Sequence, residues 1–383
     1  MQSIFITGQY RSGTTLTEKI LSCHPNIKIA SQPFPHLYFK IKSNFHNKLN
    51  LKRRYPLGTL FGEQAYNSHE FTDYILKATL SKTEIDDILE SMNNYFGNWT
   101  PELKKHYELF SGGSLIDIYN SMLTAYSQLF EKTPNIVGSK EILAEEYIPY
   151  FLDKNVKVIH IIRDIRDIIV SLNYGSGEYY TGKIRPILYS IRNWRKSIAF
   201  SLQHQSHPNY YVFQYENLAR NPSETINNFL LNEKITPIDF DNFTLKDQYG
   251  NSWKSNSSFS KSPKIDTDSI GKYNRFLDEM TIKYIENLCT AEFNVLGYNF
   301  NNTIKTLREF DISSYKEPFE IVRDDFSSNF SSSEENIKME KKRLTYLDPN
   351  SDIKHEELIS LFIFESALNK LRLSFIPITS EDA

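Results

Sequence analysis

The chain has 383 residues, of which 40% are hydrophobic and 14% aromatic, so it is long enough for one large α/β domain with insertions or for two ordinary domains. This composition excludes global disorder, and the formal net charge of −3 argues against a dedicated nucleic-acid or membrane-surface binder. Two cysteines, Cys23 and Cys289, are too few for a disulfide framework. With no visible signal peptide or run of about 18 apolar residues, we expect a cytoplasmic protein without a transmembrane segment.

The chain opens with a strand, a glycine-containing loop and a helix. Residues 3–7 predict a short buried strand, and the loop 8–13 leads into a helix over about 14–23. His24-Pro25 ends that helix because proline cannot continue it, and residues 27–30 predict a second strand. This order is a phosphate-binding arrangement, because backbone N–H groups and the helix dipole attract anions to the helix start.

The middle of the chain alternates between strands and helices after a long helical region. Residues from about 37 to 135 are mostly helical in pattern, and we interpret them as an insertion that forms a lid or an acceptor pocket. The strand at 156–162 is apolar nearly throughout, as expected for a central strand covered on both faces. Further elements follow in alternation: a helix from near Asp164, a strand at 209–214, and helices at 223–231 and 281–296. This alternation predicts an α/β domain over residues 1–300, with a central parallel sheet flanked by helices.

The last part of the chain has a different composition. Residues 327–333 are rich in serine and predict a linker, and a charged helix and then an apolar helix at about 355–373 follow. We therefore interpret residues 301–383 as a helical C-terminal extension. Its apolar side chains, including Leu361 and Leu368, are expected to pack on the main domain or to form a homodimer through a second subunit.

The loop after the first strand differs from a P-loop at one position. Gly8 and Gly13 have the P-loop spacing, but Thr14 stands where that loop carries its lysine. Because this lysine contacts the β- and γ-phosphates, its absence argues against hydrolysis of ATP or GTP. Arg11 places a cation inside the loop instead, which suits a ligand with a diphosphate-like 5′ end and less charge. The pattern predicts a P-loop-like sheet with an anion site at its edge.

The same loop carries a family resemblance. Its sequence, Gln9-Tyr10-Arg11-Ser12-Gly13-Thr14-Thr15-Leu16, resembles the 5′-phosphosulfate-binding loop of sulfotransferases that use 3′-phosphoadenosine-5′-phosphosulfate (PAPS). The Arg-Ser-Gly-Thr-Thr form, followed by His24-Pro25, is most similar to the tyrosylprotein and bacterial branches of that superfamily. The resemblance implies that the following residues bind the cofactor: Gln9, Tyr10, Arg11, Ser12, Gly13, Thr14 and Thr15.

A second pattern follows the strand at 156–162. Arg163 stands at the carboxyl end of this strand, where doubly wound sheets bind ligands, and Ser171 lies eight residues on in the next helix. The segment from Arg163 to Ser171 resembles the family's 3′-phosphate-binding motif, in which the arginine grips the phosphate. Weaker resemblances place Tyr215 near the adenine, Lys272 in a late loop on the phosphate side, and Ser257 in the stretch just before that loop.

The resemblance implies sulfuryl transfer from PAPS to a hydroxyl or amine by in-line displacement, with release of 3′-phosphoadenosine-5′-phosphate (PAP). No metal is expected, because N–H groups and cations already hold the leaving phosphate. Arg11 is the first choice for the cation at the bridging oxygen, and Lys140 is the second. The class of acceptor stays open, since carbohydrate, lipid, phenol, polyketide and peptide all fit.

The general base is the part of the pattern that departs from the family. In the tyrosylprotein branch a glutamate follows the strand after His-Pro, and here that position is Gln32. A glutamine cannot accept the proton, but it can orient an acceptor, and we expect Gln32 and Phe34 to contact the acceptor. The replacement candidates for the base are Glu141, beside Lys140, and His36, just past the strand.

Two other functions are compatible with the sequence. A P-loop kinase acting on a small molecule would need the lysine that Thr14 replaces and an aspartate that binds Mg²⁺. A non-catalytic nucleotide-binding protein would bind PAP without transfer to any acceptor, and Gln32 is the residue that favours this alternative.

Overall fold

A five-stranded parallel sheet forms the centre of the computed structural model, which describes residues 2–51, 66–93, 100–175, 185–241, 243–247, 250–253, 265, 267–300, 312–319 and 334–374. The strands are β1 (Gln2–Gly8), β2 (Ile27–Ser31), β3 (Thr79–Leu80), β4 (Gly113–Ser114), β5 (Ile136–Lys140), β6 (Lys157–Ile162) and β7 (Tyr210–Gln214). The central sheet has the order β2-β5-β1-β6-β7, and β3 and β4 form a separate antiparallel pair.

Helices connect and cover these strands. Those before β6 are α1 (Thr14–Ser22), α2 (Pro35–Lys48), α3 (Ser68–Lys77), α4 (Lys82–Met92), α5 (Leu115–Ser127) and α6 (Ile148–Asp153). Those from β6 to residue 300 are α7 (Ile165–Asn173), α8 (Ile187–His204), α9 (Tyr215–Arg220), α10 (Pro222–Asn232), α11 (Tyr273–Phe276), α12 (Glu279–Leu288) and α13 (Thr290–Leu296). The C-terminal helices are α14 (Glu334–Tyr346), α15 (His355–Phe362) and α16 (Glu365–Ser374), and 3₁₀ helices lie at Pro101–Leu109, Glu145–Tyr147 and Ile312–Ser314.

Both faces of the sheet are covered. In β1, Ile4 and Ile6 point into a core formed with α1, α9 and α10, whereas Phe5 points into a larger core on the opposite face. Helix α5 lies on that second face, where the Tyr119 hydroxyl donates a hydrogen bond to the Ile4 carbonyl oxygen at 2.8 Å. This double cover explains why the central strands are apolar at nearly every position.

The central strand β5 has no counterpart among the predicted elements. It ends in Gly138, Ser139 and Lys140, and this polar pattern does not indicate a strand. Residues 136–140 form a strand because they lie between β1 and β2 and pair with both in parallel register. A Cβ on Gly138 would lie 2.3 Å from the Ile4 carbonyl oxygen, so the close approach of these strands requires glycine.

Two predicted helices are each divided in the structure. The helix expected at 281–296 consists of α12 and α13, because Cys289 leaves the helical conformation between them (φ −115°, ψ 13°). The helix expected at 355–373 consists of α15 and α16, because Ile363 has a φ of 69°. The other predicted strands and helices agree with observed elements to within a few residues. The predicted α/β class with a central parallel sheet is confirmed.

The C-terminal helices pack on the same chain. Helix α16 lies against α8 and α13, where its Leu368 and Leu371 are buried. The Glu340 carboxylate of α14 pairs with Arg192 at 3.0 Å and with Arg195, both on α8. These side chains are therefore covered within one chain, and the homodimer stays a prediction. The predicted linker at 327–333 lies outside the described residues.

Candidate active site

The loop between β1 and α1 leaves the amino end of α1 open. Gly13 precedes the helix with a left-handed backbone (φ 104°), no side chain in the described ranges caps the first turn, and that turn carries no acidic residue. Within the loop, the hydroxyl and the N–H of Ser12 donate to the Gln9 carbonyl oxygen at 2.7 and 3.2 Å. The loop therefore turns tightly and presents the N–H groups of Thr14 and Thr15 to an anion.

The ring of Tyr215, at the start of α9, packs against this loop. A Cβ added to Gly13 would lie 2.4 Å from Tyr215 Cδ2, so the contact requires glycine. The guanidinium of Arg163 lies over the same ring, 4.2 Å from its centroid. The hydroxyls of Tyr215 and Ser269 are hydrogen-bonded at 2.6 Å. The loop, Tyr215 and Arg163 thus form one packed unit.

Residues far apart in the sequence meet beside the loop. Arg11 Nε donates to Ser171 Oγ at 2.9 Å, across 160 positions of the chain. Arg163 donates to the carbonyl oxygens of Arg11, at 3.0 Å, and of Ser269, at 2.7 Å, and its Nε is buried without a hydrogen-bond partner among the described residues. The fold therefore brings Arg11, Arg163 and Ser171 together at the carboxyl edge of the sheet.

The late loop is attached to α7 through Asp167. The Asp167 carboxylate accepts hydrogen bonds from the Gly271 N–H at 2.7 Å and from the Tyr273 N–H at 3.1 Å. Lys272 lies between these two anchors, so its backbone is fixed near the Arg163 motif. Ser257, predicted to bind the cofactor, lies outside the described residues.

Helix α8 borders the first half of the loop. Gln9 Nε2 donates to the Ser190 carbonyl oxygen at 3.0 Å, and no described residue donates a hydrogen bond to the buried Gln9 Oε1. The guanidinium of Arg185, just before α8, lies 4.8 Å from the centroid of the Tyr10 ring. These contacts join Gln9 and Tyr10 to α8, on the side of the sheet that also carries Arg163.

Lys140 ends β5 beside the end of β2. Its Nζ donates to Gln32 Oε1 at 3.3 Å, and the Gln32 N–H donates to the Lys140 carbonyl oxygen at 2.8 Å. Gln32 has a left-handed backbone (φ 42°) where the chain leaves the sheet. Burial lowers the pKa of Lys140, and the nearby carboxylates of Glu18 and Glu141 oppose this by favouring the charged form. The second predicted cation and a predicted acceptor residue are therefore in contact.

The two candidate bases have different surroundings. Glu141 Oε1 accepts a hydrogen bond from the Phe34 N–H at 3.4 Å, and burial raises the pKa of Glu141 to about 8 although Lys140 opposes the shift. His36 lies on α2, where its Nδ1 is hydrogen-bonded to Ser91 Oγ of α4 at 2.5 Å and burial lowers its pKa. Glu141 is thus placed with Lys140 and Phe34, whereas the contacts described for His36 lead towards α4.

Helical residues after β2 border the same edge. The Thr100 hydroxyl donates to the Ser31 carbonyl oxygen at 2.8 Å, and the rings of Phe34 and Phe110 meet edge to face with centroids 5.3 Å apart. Both Thr100 and Phe110 belong to the region that we interpret as an insertion. It therefore contributes side chains beside Gln32.

Ser269 begins the segment that resembles the family's late loop, whereas no sequence pattern singled out Glu18. Glu18 is on α1 and only 1% exposed. Its Oε1 lies 2.8 Å from Lys19 Nζ, and its Oε2 lies 3.9 Å from Lys140 Nζ without a hydrogen bond. The one available signal was a Glu-Lys pair in a helix whose other residues are apolar, threonine or serine.

Comparison with known proteins assigns the family. Residues 3–230, more than half of the chain, match the model of the sulfotransferase family, so the chain belongs to that family. No curated protein matches the chain.

Three solved structures illustrate the similarity. The sulfotransferase domain from the curacin biosynthetic pathway is 17% identical over 79% of this chain and 99% of that chain, with a TM-score of 0.45. The sulfotransferase domain of the Synechococcus PCC 7002 olefin synthase is 16% identical over 72% and 87% of the two chains, with a TM-score of 0.39. Retinol dehydratase in complex with androsterone and the inactive cofactor PAP is 15% identical over 79% and 84%, with a TM-score of 0.35.

Within the described ranges, no helix combines the length and the apolar character that crossing a membrane requires.

Proposed function

We propose that the protein transfers a sulfuryl group from PAPS to a hydroxyl or amine acceptor and releases PAP. The observation that carries this proposal is the junction of Arg11, Ser171 and Arg163, which joins the two predicted anion-binding motifs in one site. A single phosphate would need one of these motifs, whereas a nucleotide with phosphates at both ends of its ribose engages two. Family membership favours sulfuryl transfer over the kinase alternative.

The residues present fit the 5′ end of such a donor. Helix α1 begins without a side-chain cap or an acidic first turn, so its N–H groups and dipole are available to an anion. The proposed partners of the 5′ end are the loop residues, given by the sequence as Gln9, Tyr10, Arg11, Ser12, Gly13, Thr14 and Thr15. At the other end, Arg163 and Ser171 would hold the 3′-phosphate, with Tyr215 beside the adenine and Lys272 on the phosphate side.

Transfer requires a cation where charge builds on the leaving phosphate and a base for the acceptor proton. The acceptor oxygen or nitrogen forms a bond to sulfur, the bond from sulfur to the bridging phosphate oxygen breaks, and the acceptor proton passes to the base. We assign Arg11 and Lys140 to the developing charge. Glu141 is our first candidate for the base because it lies beside Lys140 and the Phe34 N–H, and its raised pKa suits proton transfer near neutral pH.

The acceptor is proposed to bind at the ends of β2 and β5. Gln32 and Phe34 lie there, and Thr100 and Phe110 of the helical region approach them. An aromatic and amide lining of this kind suits an acceptor that presents both an apolar body and a hydroxyl.

Calorimetric titration with PAP and with 5′-AMP, without metal, tests the donor site. We expect micromolar binding of PAP, and weaker binding of AMP by a factor of about 100 or more, because one charge-assisted arginine–phosphate contact is worth about 3 kcal/mol. The variant Arg163→Ala should bring the two affinities together. Equal and weak binding of PAP and AMP by the unmodified protein would contradict the proposal. PAP binding without transfer to any acceptor would support the non-catalytic alternative.

A further inference from the structure

The side chain of Glu18, on α1, is a buried carboxylate with one oxygen that has no hydrogen-bond partner among the described residues. Glu18 and Lys19 are 1% and 7% exposed, and Glu18 Oε1 lies 2.8 Å from Lys19 Nζ. The other oxygen, Oε2, is buried and accepts no hydrogen bond in the described part of the chain. Burying a carboxylate oxygen without a hydrogen bond costs free energy, and a nearby positive charge offsets that cost. The cation that faces it is the Lys140 ammonium, at 3.9 Å.

The other neighbours of Lys140 provide less of this charge than Glu18 does. Gln32, at the end of β2, accepts a hydrogen bond from the ammonium but is neutral. Glu141, the residue after Lys140, accepts a hydrogen bond from the Phe34 N–H, and it favours the charged form of Lys140 less than Glu18 does. Lys19, on α1, is a like charge and lowers the pKa of Lys140. Glu18 is therefore the carboxylate placed to balance Lys140.

We infer that Glu18 is a positioning residue: its Oε2 keeps the Lys140 ammonium charged and directs it to the end of β5. The role of Lys140 as a cation for sulfuryl transfer rests on the proposed function, whereas the contact with Glu18 does not. A buried lysine loses its proton readily unless a counter-charge is near.

The variant Glu18→Gln keeps the size of the side chain and removes its charge. We expect the titration midpoint of Lys140 to fall by about 1 to 2 pH units, the usual effect of a counter-charge within 4–6 Å. The midpoint is measured by NMR of the full-length protein with ¹³C-labelled lysine, with the Lys140 signal assigned by its loss in Lys140→Met. This readout does not depend on turnover. In the transfer assay, the alkaline limb of the kcat profile should be displaced to lower pH by the same amount, so that kcat on this limb falls by up to about 10- to 100-fold. Affinity for PAP should change less than about threefold.

A matched control separates this role from stability. Glu233→Gln removes the carboxylate of another lysine pair, Glu233–Lys157 at 2.9 Å, at the opposite edge of the sheet. It should leave kcat and the Lys140 midpoint unchanged. Glu18→Asp keeps the charge and should restore most of kcat. If Glu18→Gln does not fold, the double variant Glu18→Gln/Lys19→Gln removes both charges of the adjacent pair and should lower the Lys140 midpoint by less, because the loss of Lys19 removes a like charge that lowers the pKa of Lys140.

The outcomes are distinct. An unchanged Lys140 midpoint in Glu18→Gln overturns the inference and leaves the proposed function intact if the unmodified protein still transfers sulfuryl groups. An equal loss of kcat in Glu233→Gln also overturns it, because the effect would then come from stability. If the unmodified protein neither binds PAP nor transfers, the proposed function fails, and a displaced midpoint would still establish the contact between Glu18 and Lys140.

Discussion

The buried charges that join α14 to α8 make a prediction about the C-terminal helices. Glu340 is 2% exposed and pairs with Arg192 and Arg195 of α8. Burial by itself would raise the pKa of Glu340, but the two guanidiniums outweigh it and lower the pKa from 4.5 to about 2. This difference corresponds to about 3 kcal/mol of folding free energy at neutral pH.

The variant Glu340→Gln should therefore lower the free energy of unfolding by about 3 to 5 kcal/mol at pH 7, because it also removes a carboxylate that balances the charge of two buried arginines. The carboxylate stabilises the folded state above pH 4.5, and this contribution disappears as the pH falls towards 2. The difference between the variant and the unmodified protein should accordingly shrink on acidification below pH 4.5. Urea unfolding monitored by circular dichroism at several pH values measures both effects.

A control in the same region is Glu357→Gln. Glu357 pairs with Lys342 on the surface, where the lysine side chain is 45% exposed, so its loss should change stability much less. At pH 7, the free energy of unfolding of Glu340→Gln could lie within about 1 kcal/mol of that of the unmodified protein. In that case the pairs of Glu340 with the arginines of α8 would not be what holds α14 against α8. Residues 334–374 would then behave as a separable extension rather than as part of the main core.

Two predictions concern the site itself. Gly13→Ala should weaken PAP binding by more than about tenfold in calorimetry, because Gly13 has a φ of 104° and an added Cβ would lie 2.4 Å from Tyr215 Cδ2. Gly250→Ala is the control, since Gly250 also has a positive φ but its Cβ would have no atom of the described residues within 4 Å. An equal effect of both variants would contradict the explanation. If Glu141 is the base, kcat should rise with pH through about 8 as its carboxyl group loses its proton, and Glu141→Gln should lower kcat by a factor of about 10² to 10⁴. Near-normal turnover of Glu141→Gln would remove Glu141 from that role.

Local sequence patterns determined the elements that carry the anion site. The run from Ser3 to Thr14 specifies a strand, a tight loop and a helix start, because glycine spacing and hydrophobic periodicity act over a few neighbouring residues. The apolar strand before Arg163 and the periodic helix that carries Ser171 are readable in the same way. That both motifs lie at one edge of the sheet follows from parallel pairing, which the alternation of elements predicts.

Only the tertiary structure decided which residues accompany these motifs. Strand β5 exists because β1 and β2 pair with Gly138, Ser139 and Lys140, whose own pattern is polar. Glu18 gained its position from the order of the sheet, which sets α1 beside the end of β5. Contacts of this kind depend on chain segments more than a hundred residues apart, so no local pattern encodes them. The sequence by itself thus determined the motifs and the class of fold, while packing determined the charges around them.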